Sequence, residues 1–308
     1  MHKLREFATG LEFPEGPVAL PDGSLLVVEI RRKTVSRISP QGEISVVAHT
    51  GGGPNGLAMG PDGKAYLCNS GGFEWIDDPE HGTRPGNQAP DYDGGRIERI
   101  DLATGKFERM IERSNKRKLR GPNDIVFDKQ GGFWFTDIGK SRENEREHGG
   151  VCYVAPGATE AREVIYPMMQ PNGIGLSAEE DKLYVAETIT GRLWAFDLAA
   201  PGEIMRKPYP SPNGGMLVAG LPGYQLFDSL ALDGEGNICV ATLQNGGITV
   251  ISPDGRTISH VPVPDRHTTN ICFGGPDLRT AFISCSGTGK VLAMDWHCPG
   301  LPLNFLNK

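Results

Sequence analysis

The sequence of 308 residues predicts an all-β fold, a six-bladed β-propeller formed as one domain over residues 1–308, and three observations carry that reading. First, a short segment delivers one polar residue into the start of a strand-like apolar run six times. The segments are Phe13-Pro14-Glu15-Gly16-Pro17-Val18, Gly53-Pro54-Asn55-Gly56-Leu57, Gly121-Pro122-Asn123-Asp124-Ile125, Gln170-Pro171-Asn172-Gly173-Ile174, Leu226-Phe227-Asp228-Ser229-Leu230 and Thr269-Asn270-Ile271. Second, those polar residues recur every 40 to 68 residues, the interval of one four-stranded blade with or without an inserted loop. Third, no window shows a sustained helical period, and Gly or Pro interrupts nearly every one. The 42 glycines, 24 prolines and 38% hydrophobic residues suit many short strands joined by tight turns.

The units read alike. In the first, strands are expected at 17–20, 24–28, 33–38 and 43–47, with Pro21-Asp22-Gly23 turning between the first two. The third unit gives strands at 124–127, 132–136 and 150–154, and the sixth at 271–273, 280–284 and 290–294. The sixth lacks an outer strand, and the segment around Arg5 and Phe7 is expected to supply it, closing the ring and covering its edges. Two units are longer than the rest. Residues 72–93 form an insert between the second and third strands of blade two and, carrying Trp75 and Tyr92, read as a lid; residues 140–148 of blade three read as a charged, solvated loop. Both should leave from the end of the propeller that bears the polar residues.

Composition removes several classes of function. A net charge of -7 and a pI near 5.6 argue against a nucleic-acid surface, and the basic run Lys116, Arg117, Lys118 and Arg120 reads as a solvated loop. The opening Met1-His2-Lys3-Leu4-Arg5 has no apolar stretch of signal-peptide length, and no window approaches a membrane span. Cys68, Cys152, Cys239, Cys272, Cys285 and Cys298 form no CxxC pair, and most lie in apolar runs. The chain therefore reads as cytoplasmic, with reduced thiols. Nucleophile-elbow, Walker, dinucleotide and HExxH patterns are absent.

The innermost strand of each blade lines the channel, so Glu15, Asn55, Asn123, Asn172, Asp228 and Asn270 are expected to converge near one mouth. Asn after Pro is an ordinary turn residue, and one Pro-Asn-Gly alone would be turn chemistry. Glu15 and Asp228 depart from that pattern by placing carboxylates where other blades carry amides. Two anionic and several neutral oxygens suit a hard divalent cation, which would also relieve the repulsion of two buried carboxylates. A central-channel metal site is thus part of the expected fold, with Ca²⁺ first and Mg²⁺, Mn²⁺, Zn²⁺ or Fe²⁺ as alternatives.

At these residues the chain resembles the senescence marker protein/gluconolactonase/luciferin-regenerating enzyme-like family. The resemblance rests on Phe13-Pro14-Glu15-Gly16-Pro17, Gly121-Pro122-Asn123-Asp124, Gln170-Pro171-Asn172-Gly173-Ile174 and Asp228-Ser229-Leu230-Ala231-Leu232-Asp233, and covers essentially the whole chain. It implies a six-bladed propeller binding one divalent metal and, in many members, hydrolysis of sugar lactones. On that resemblance Glu15, Asn123, Asn172 and Asp228 are the metal ligands and Asp228 is also the catalytic base. Asn55, with Trp75, Tyr92 and Asn270, is assigned to a small-molecule lactone. The same ligand set is similar to that of phosphotriesterase/fluorophosphatase-like propellers, where Asp228 would be a nucleophile. A binding scaffold with a structural ion is a third reading, since propellers host unrelated functions.

Overall fold

A computed structural model describes residues 3–308; Met1 and His2, the start of the stretch considered for a leader, lie outside the described residues. Six antiparallel sheets are arranged as blades, and their innermost strands form a ring: Pro14–Ala19, Pro54–Met59, Pro122–Phe127, Pro171–Leu176, Leu226–Leu232 and Thr268–Gly274. Each chain segment then meanders outward strand by strand. Four innermost strands begin at Pro, which lacks a ladder donor and is tolerated at a strand's first residue. The expected ring closure is present. Arg5–Thr9 pairs antiparallel with Lys290–Asp295 as the outer strand of blade six, and Phe7 packs edge-on against Phe282 at 4.9 Å.

Alternation along these strands leaves each sheet apolar on both faces, so neighbouring blades pack face to face. Six apolar clusters result, one at each junction between adjacent blades. Phe227, Leu25, Leu26, Trp134 and Phe135 have no solvent exposure there. Burial of a Leu or Phe stabilises by roughly 1.5–3 kcal/mol. Blade four departs from four strands: the long Arg192–Ala200 pairs on its outer edge with both Glu203–Met205 and Met216–Gly220. The six cysteines are buried free thiols, as expected. Among the described residues, no helix is long and apolar enough to cross a membrane.

Both long inserts differ from expectation. Residues 72–93 contain a two-stranded hairpin, Phe73–Asp78 with Gly82–Gln88, rather than a loop. Ties to three blades hold it: Arg31 to Asp77 at 2.5 and 3.0 Å, Thr83 N to Gly287 O at 3.0 Å, and Gln88 N to Ser141 O at 2.9 Å. The stretch 140–148 is not simply a solvated loop. Lys140 is buried, its Nζ donating to Gly72 O at 2.9 Å over the rings of Phe73 (4.4 Å) and Tyr92 (5.1 Å), and burial pulls its pKa down to about 7. A buried lysine pinning the hairpin's base replaces a charge in water.

Candidate metal centre and its cavity

Every innermost strand carries a β-bulge at the repeated motif. Pro54 pairs with Asn69 but Leu57 with Leu67, so three steps on one strand oppose two on the other; Pro122 to Ile125, Pro171 to Ile174 and Phe227 to Leu230 repeat the count. Glu15 to Val18 and Thr268 to Asn270 show the same extra residue. A bulge re-aims a side chain that the pleat would otherwise direct into a sheet face. The polar residues therefore lie inside the first strand, which is why the observed strands begin earlier than the apolar pattern suggests.

The bulges define two tiers. In blades two to six the residue after the last regular pair is Asn55, Asn123, Asn172, Asp228 and Thr269, and Glu15, itself still paired with Val28, takes the corresponding place in blade one. These six line one cavity of about 660 Å³ at the mouth of the channel. The following residue is Gly16, Gly56, Asp124, Gly173, Ser229 and Asn270. The amide of Asn270 thus suggests an alignment one residue too late for blade six. Asn270 does not line this cavity but a smaller one of about 100 Å³ at the opposite end, shared with Asp124 and capped by Leu301, Leu303 and Leu306. Its Nδ2 donates to Glu15 Oε2 at 2.7 Å, while its Oδ1 accepts from Ile271 N at 2.8 Å. Asn270 thus holds Glu15 rather than a substrate. Replacing it with Ala is expected to weaken divalent-metal binding about 10-fold or more, measured calorimetrically on metal-stripped protein.

Trp75 and Tyr92 are also placed elsewhere. Trp75 packs on Phe13, ring centroids 5.0 Å apart, with Arg31 over its ring at 5.9 Å; the Tyr92 hydroxyl donates to Arg120 O at 2.8 Å. Both brace the hairpin, and the cavity wall it offers is made by Phe73, Glu74, Ile76 and Arg84 instead.

The electrostatics of the ring fit a cation. Glu15, Asp124 and Asp228 are buried, and no Lys or Arg forms an ion pair with any of them among the described residues. Burial pushes the Glu15 carboxyl up, against hydrogen bonds from Asn270, Gly16 N and Thr269. Burial, then repulsion from Glu15 and Asp124, pushes Asp228 well above the carboxylate range. Asp124 rises to about 8, by burial and then by Glu15. Asn123 Oδ1 is buried without a hydrogen-bond partner, an acceptor that costs about 1–3 kcal/mol if left so. Asn172 Oδ1 accepts from Ser229 Oγ, at 3.3 Å. An oxygen-only donor set with an orphaned carbonyl and two ring carboxylates suits a hard divalent ion held by Glu15, Asn123, Asn172 and Asp228. Without the ion, the raised carboxyls keep protons that the unfolded chain has released. Their stabilising contribution is whole below about pH 4 and declines as pH rises towards about 8. Metal-stripped protein is therefore expected to melt at progressively lower temperature from pH 5 to 8, and saturating Ca²⁺ to flatten that profile in scanning fluorimetry.

Two further cavity residues give no sign of themselves in the sequence. His267 Nδ1 and Thr188 Oγ1 are buried, line the cavity and have no partner; burial lowers the His267 pKa, so the imidazole is neutral. Asp124 does carry a signal, since it fills a position where blades one, two and four carry Gly. His267 carries none, because only the bulge register relates it to the ring.

With this geometry in place, comparison with known proteins becomes decisive at residues 13–287, which match the SMP-30/Gluconolactonase/LRE-like region. The chain belongs to that family. A gluconolactonase of Zymomonas mobilis is 26% identical over 92% of this chain and 79% of its own length. The lactonase drp35 of Staphylococcus haemolyticus is 28% identical over 79% of this chain and 64% of its own. Among solved structures, the calcium-binding protein regucalcin of Agrobacterium tumefaciens superposes with a TM-score of 0.77 at 19% identity, covering 100% of this chain and 98% of that one. That last likeness speaks to the fold.

Proposed function

We propose that the protein is a divalent-metal-dependent hydrolase that opens a lactone, a sugar lactone such as an aldonolactone being the leading substrate and Ca²⁺ the leading ion. The carrying observation is the pairing of two buried, unneutralised carboxylates with the orphaned Asn123 Oδ1 on the floor of an open cavity of about 660 Å³. Membership of the family and the named activities of the Zymomonas and Staphylococcus relatives support the reaction class. An ion held by Glu15, Asn123, Asn172 and Asp228 would supply Lewis acidity towards the lactone carbonyl and keep the carboxylates ionised.

The chain's own groups then have defined tasks. A carboxylate oxygen of Asp228 takes the proton of the attacking water. Addition of that water to the acyl carbon and loss of the ring oxygen break the C–O bond, and the ring oxygen leaves as a hydroxyl once it is protonated. Asn55, Thr188 and the neutral His267 line the cavity as hydrogen-bonding groups for substrate hydroxyls. Trp75 and Tyr92 act at one remove, by holding the hairpin.

The test is a panel of aldonolactones and simple lactones, assayed with metal-stripped protein and again after adding Ca²⁺, Mg²⁺, Mn²⁺, Zn²⁺ and Fe²⁺ separately. Turnover of at least one lactone that requires an added ion is expected. Undiminished turnover by stripped protein, or hydrolysis of phosphotriesters alone, would overturn the proposal. Under single turnover in ¹⁸O-water the label is expected in the product acid; label in Asp228 would make it a nucleophile instead of a base.

A further inference from the structure

Outside the channel, blade five and the C-terminal segment meet at a second group of ligating side chains. Asp233 begins the turn after the innermost strand of blade five, where its Oδ1 accepts from Glu235 N (3.0 Å) and Asn237 N (2.9 Å). Asp128 begins the equivalent turn of blade three, and there the Tyr153 hydroxyl donates to Oδ2 at 2.8 Å. Blade five has no such hydroxyl. Asp233 Oδ2 instead accepts from Asn237 Nδ2 at 3.0 Å and faces His297 and Cys298. One ligand atom from each of Asp233, His297 and Cys298 lies within 4.8 Å of the others, and His297 Nε2 is 3.8 Å from both Asp233 Oδ2 and Glu235 Oε2. Asp233 is fully buried and forms no ion pair with a Lys or Arg among the described residues, Cys298 is 5% exposed, and the His297 ring reaches solvent.

We propose that Asp233, His297 and Cys298, with Glu235 at the rim, bind a thiophilic divalent cation of Zn²⁺ character that clamps the C-terminal segment to blade five. Sulfur, imidazole nitrogen and carboxylate oxygen are the donor types of tetrahedral zinc, unlike the all-oxygen ring of the channel. Bonds of about 2.0–2.3 Å require the ligand atoms to draw in to roughly 3.5 Å of one another, a modest adjustment for the exposed His297. On binding, the Cys298 thiol releases its proton to solvent as the metal–sulfur bond forms; imidazole and carboxylates each give a lone pair, and nothing is oxidised or reduced. In the metal-free state burial and the facing Asp233 push that thiol up to about 11. The clamp has a mechanical target. Gly234 N donates to Pro299 O at 2.6 Å and Leu301 N to Leu232 O at 2.9 Å, just before Leu301, Leu303 and Leu306 close the lower mouth of the channel.

The full chain, with saturating Ca²⁺ present, is titrated with Co²⁺ while thiolate-to-metal charge transfer is followed in the near ultraviolet. One equivalent of thiolate-bound Co²⁺ is expected, with no band in Cys298→Ser, binding weakened at least tenfold in His297→Ala, and the band intact in Asp228→Asn. Zn²⁺ should compete for the site and slow hydrogen exchange over residues 296–307 in the unsubstituted protein but not in His297→Ala. Absence of a thiolate band, or its survival in Cys298→Ser, would overturn the site. Zinc binding that leaves exchange at 296–307 unchanged would overturn the clamp. Should Cys298→Ser fail to fold, the surface variant His297→Ala decides both points.

Discussion

Asp228→Asn is expected to lower lactone turnover by about 10²–10⁴-fold, the range for removing a general base, and to raise the melting temperature of the metal-stripped protein. Both effects come from one substitution because Asp228 is a buried carboxylate repelled by Glu15 and Asp124 in the absence of an ion. The amide keeps the shape and the carbonyl oxygen but removes the charge. Metal-free protein then loses a carboxyl that must either hold a proton or stay charged in a buried site, and both states are costly. The cation loses one of its two anionic ligands, so affinity falls as well, and turnover must be compared at saturating metal to isolate the loss of the base. A functional carboxylate is recognised by this opposition of stability and activity. If Asp228→Asn lowered both together at every metal concentration, Asp228 would be a structural residue.

Gly56→Ala is the second large expected effect, a loss of roughly 1–3 kcal/mol of stability by overpacking together with a fall in metal affinity. A Cβ at Gly56 would lie 2.4 Å from Asn123 O and 2.6 Å from Asp124 Cα, so the backbone that aims Asn123 must move. Gly16 and Gly173 meet the backbone at Asn55 and Asp228 in the same way, at 2.4 and 2.7 Å from the respective carbonyl oxygens. These glycines let the tiers of neighbouring blades approach. Gly63 has a different role: it takes φ +72° in the Pro61-Asp62-Gly63 turn, and a Cβ there would meet nothing within 4 Å. Gly63→Ala is therefore expected to cost stability through backbone strain alone and to leave metal affinity unchanged. Thermal melts with calorimetric metal titration of the two variants separate the roles; equal metal affinity in both would contradict the close-approach explanation.

The blades are legible in the chain because a strand-period apolar run and its turn are local signals, and the ring closure by Arg5–Thr9 follows from counting strands. Glu15 and Asp228 are legible because they place carboxylates where the other blades carry amides. Register is what the chain does not reveal. A bulge adds one residue without marking the sequence, so Asn270 reads as a member of the ring when Thr269 belongs there. Aromatic character points Trp75 and Tyr92 to substrate, whereas the hairpin turns them towards Phe13 and Arg120. Lys140 reads as a surface charge in any window of its own neighbours, since its acceptor, Gly72 O, belongs to another blade. Non-local packing decides each of these cases.

Dependence of lactone hydrolysis on one hard cation held by Glu15, Asn123, Asn172 and Asp228 is the core of the proposed function. Its most direct test is a titration of metal-stripped protein with Ca²⁺ in which bound calcium and lactone hydrolysis are followed together. Activity is expected to rise from baseline in proportion to occupancy and to level off at one equivalent, with no comparable recovery in Asp228→Asn. Full activity before any calcium binds, or recovery that ignores the loss of Asp228, would contradict it.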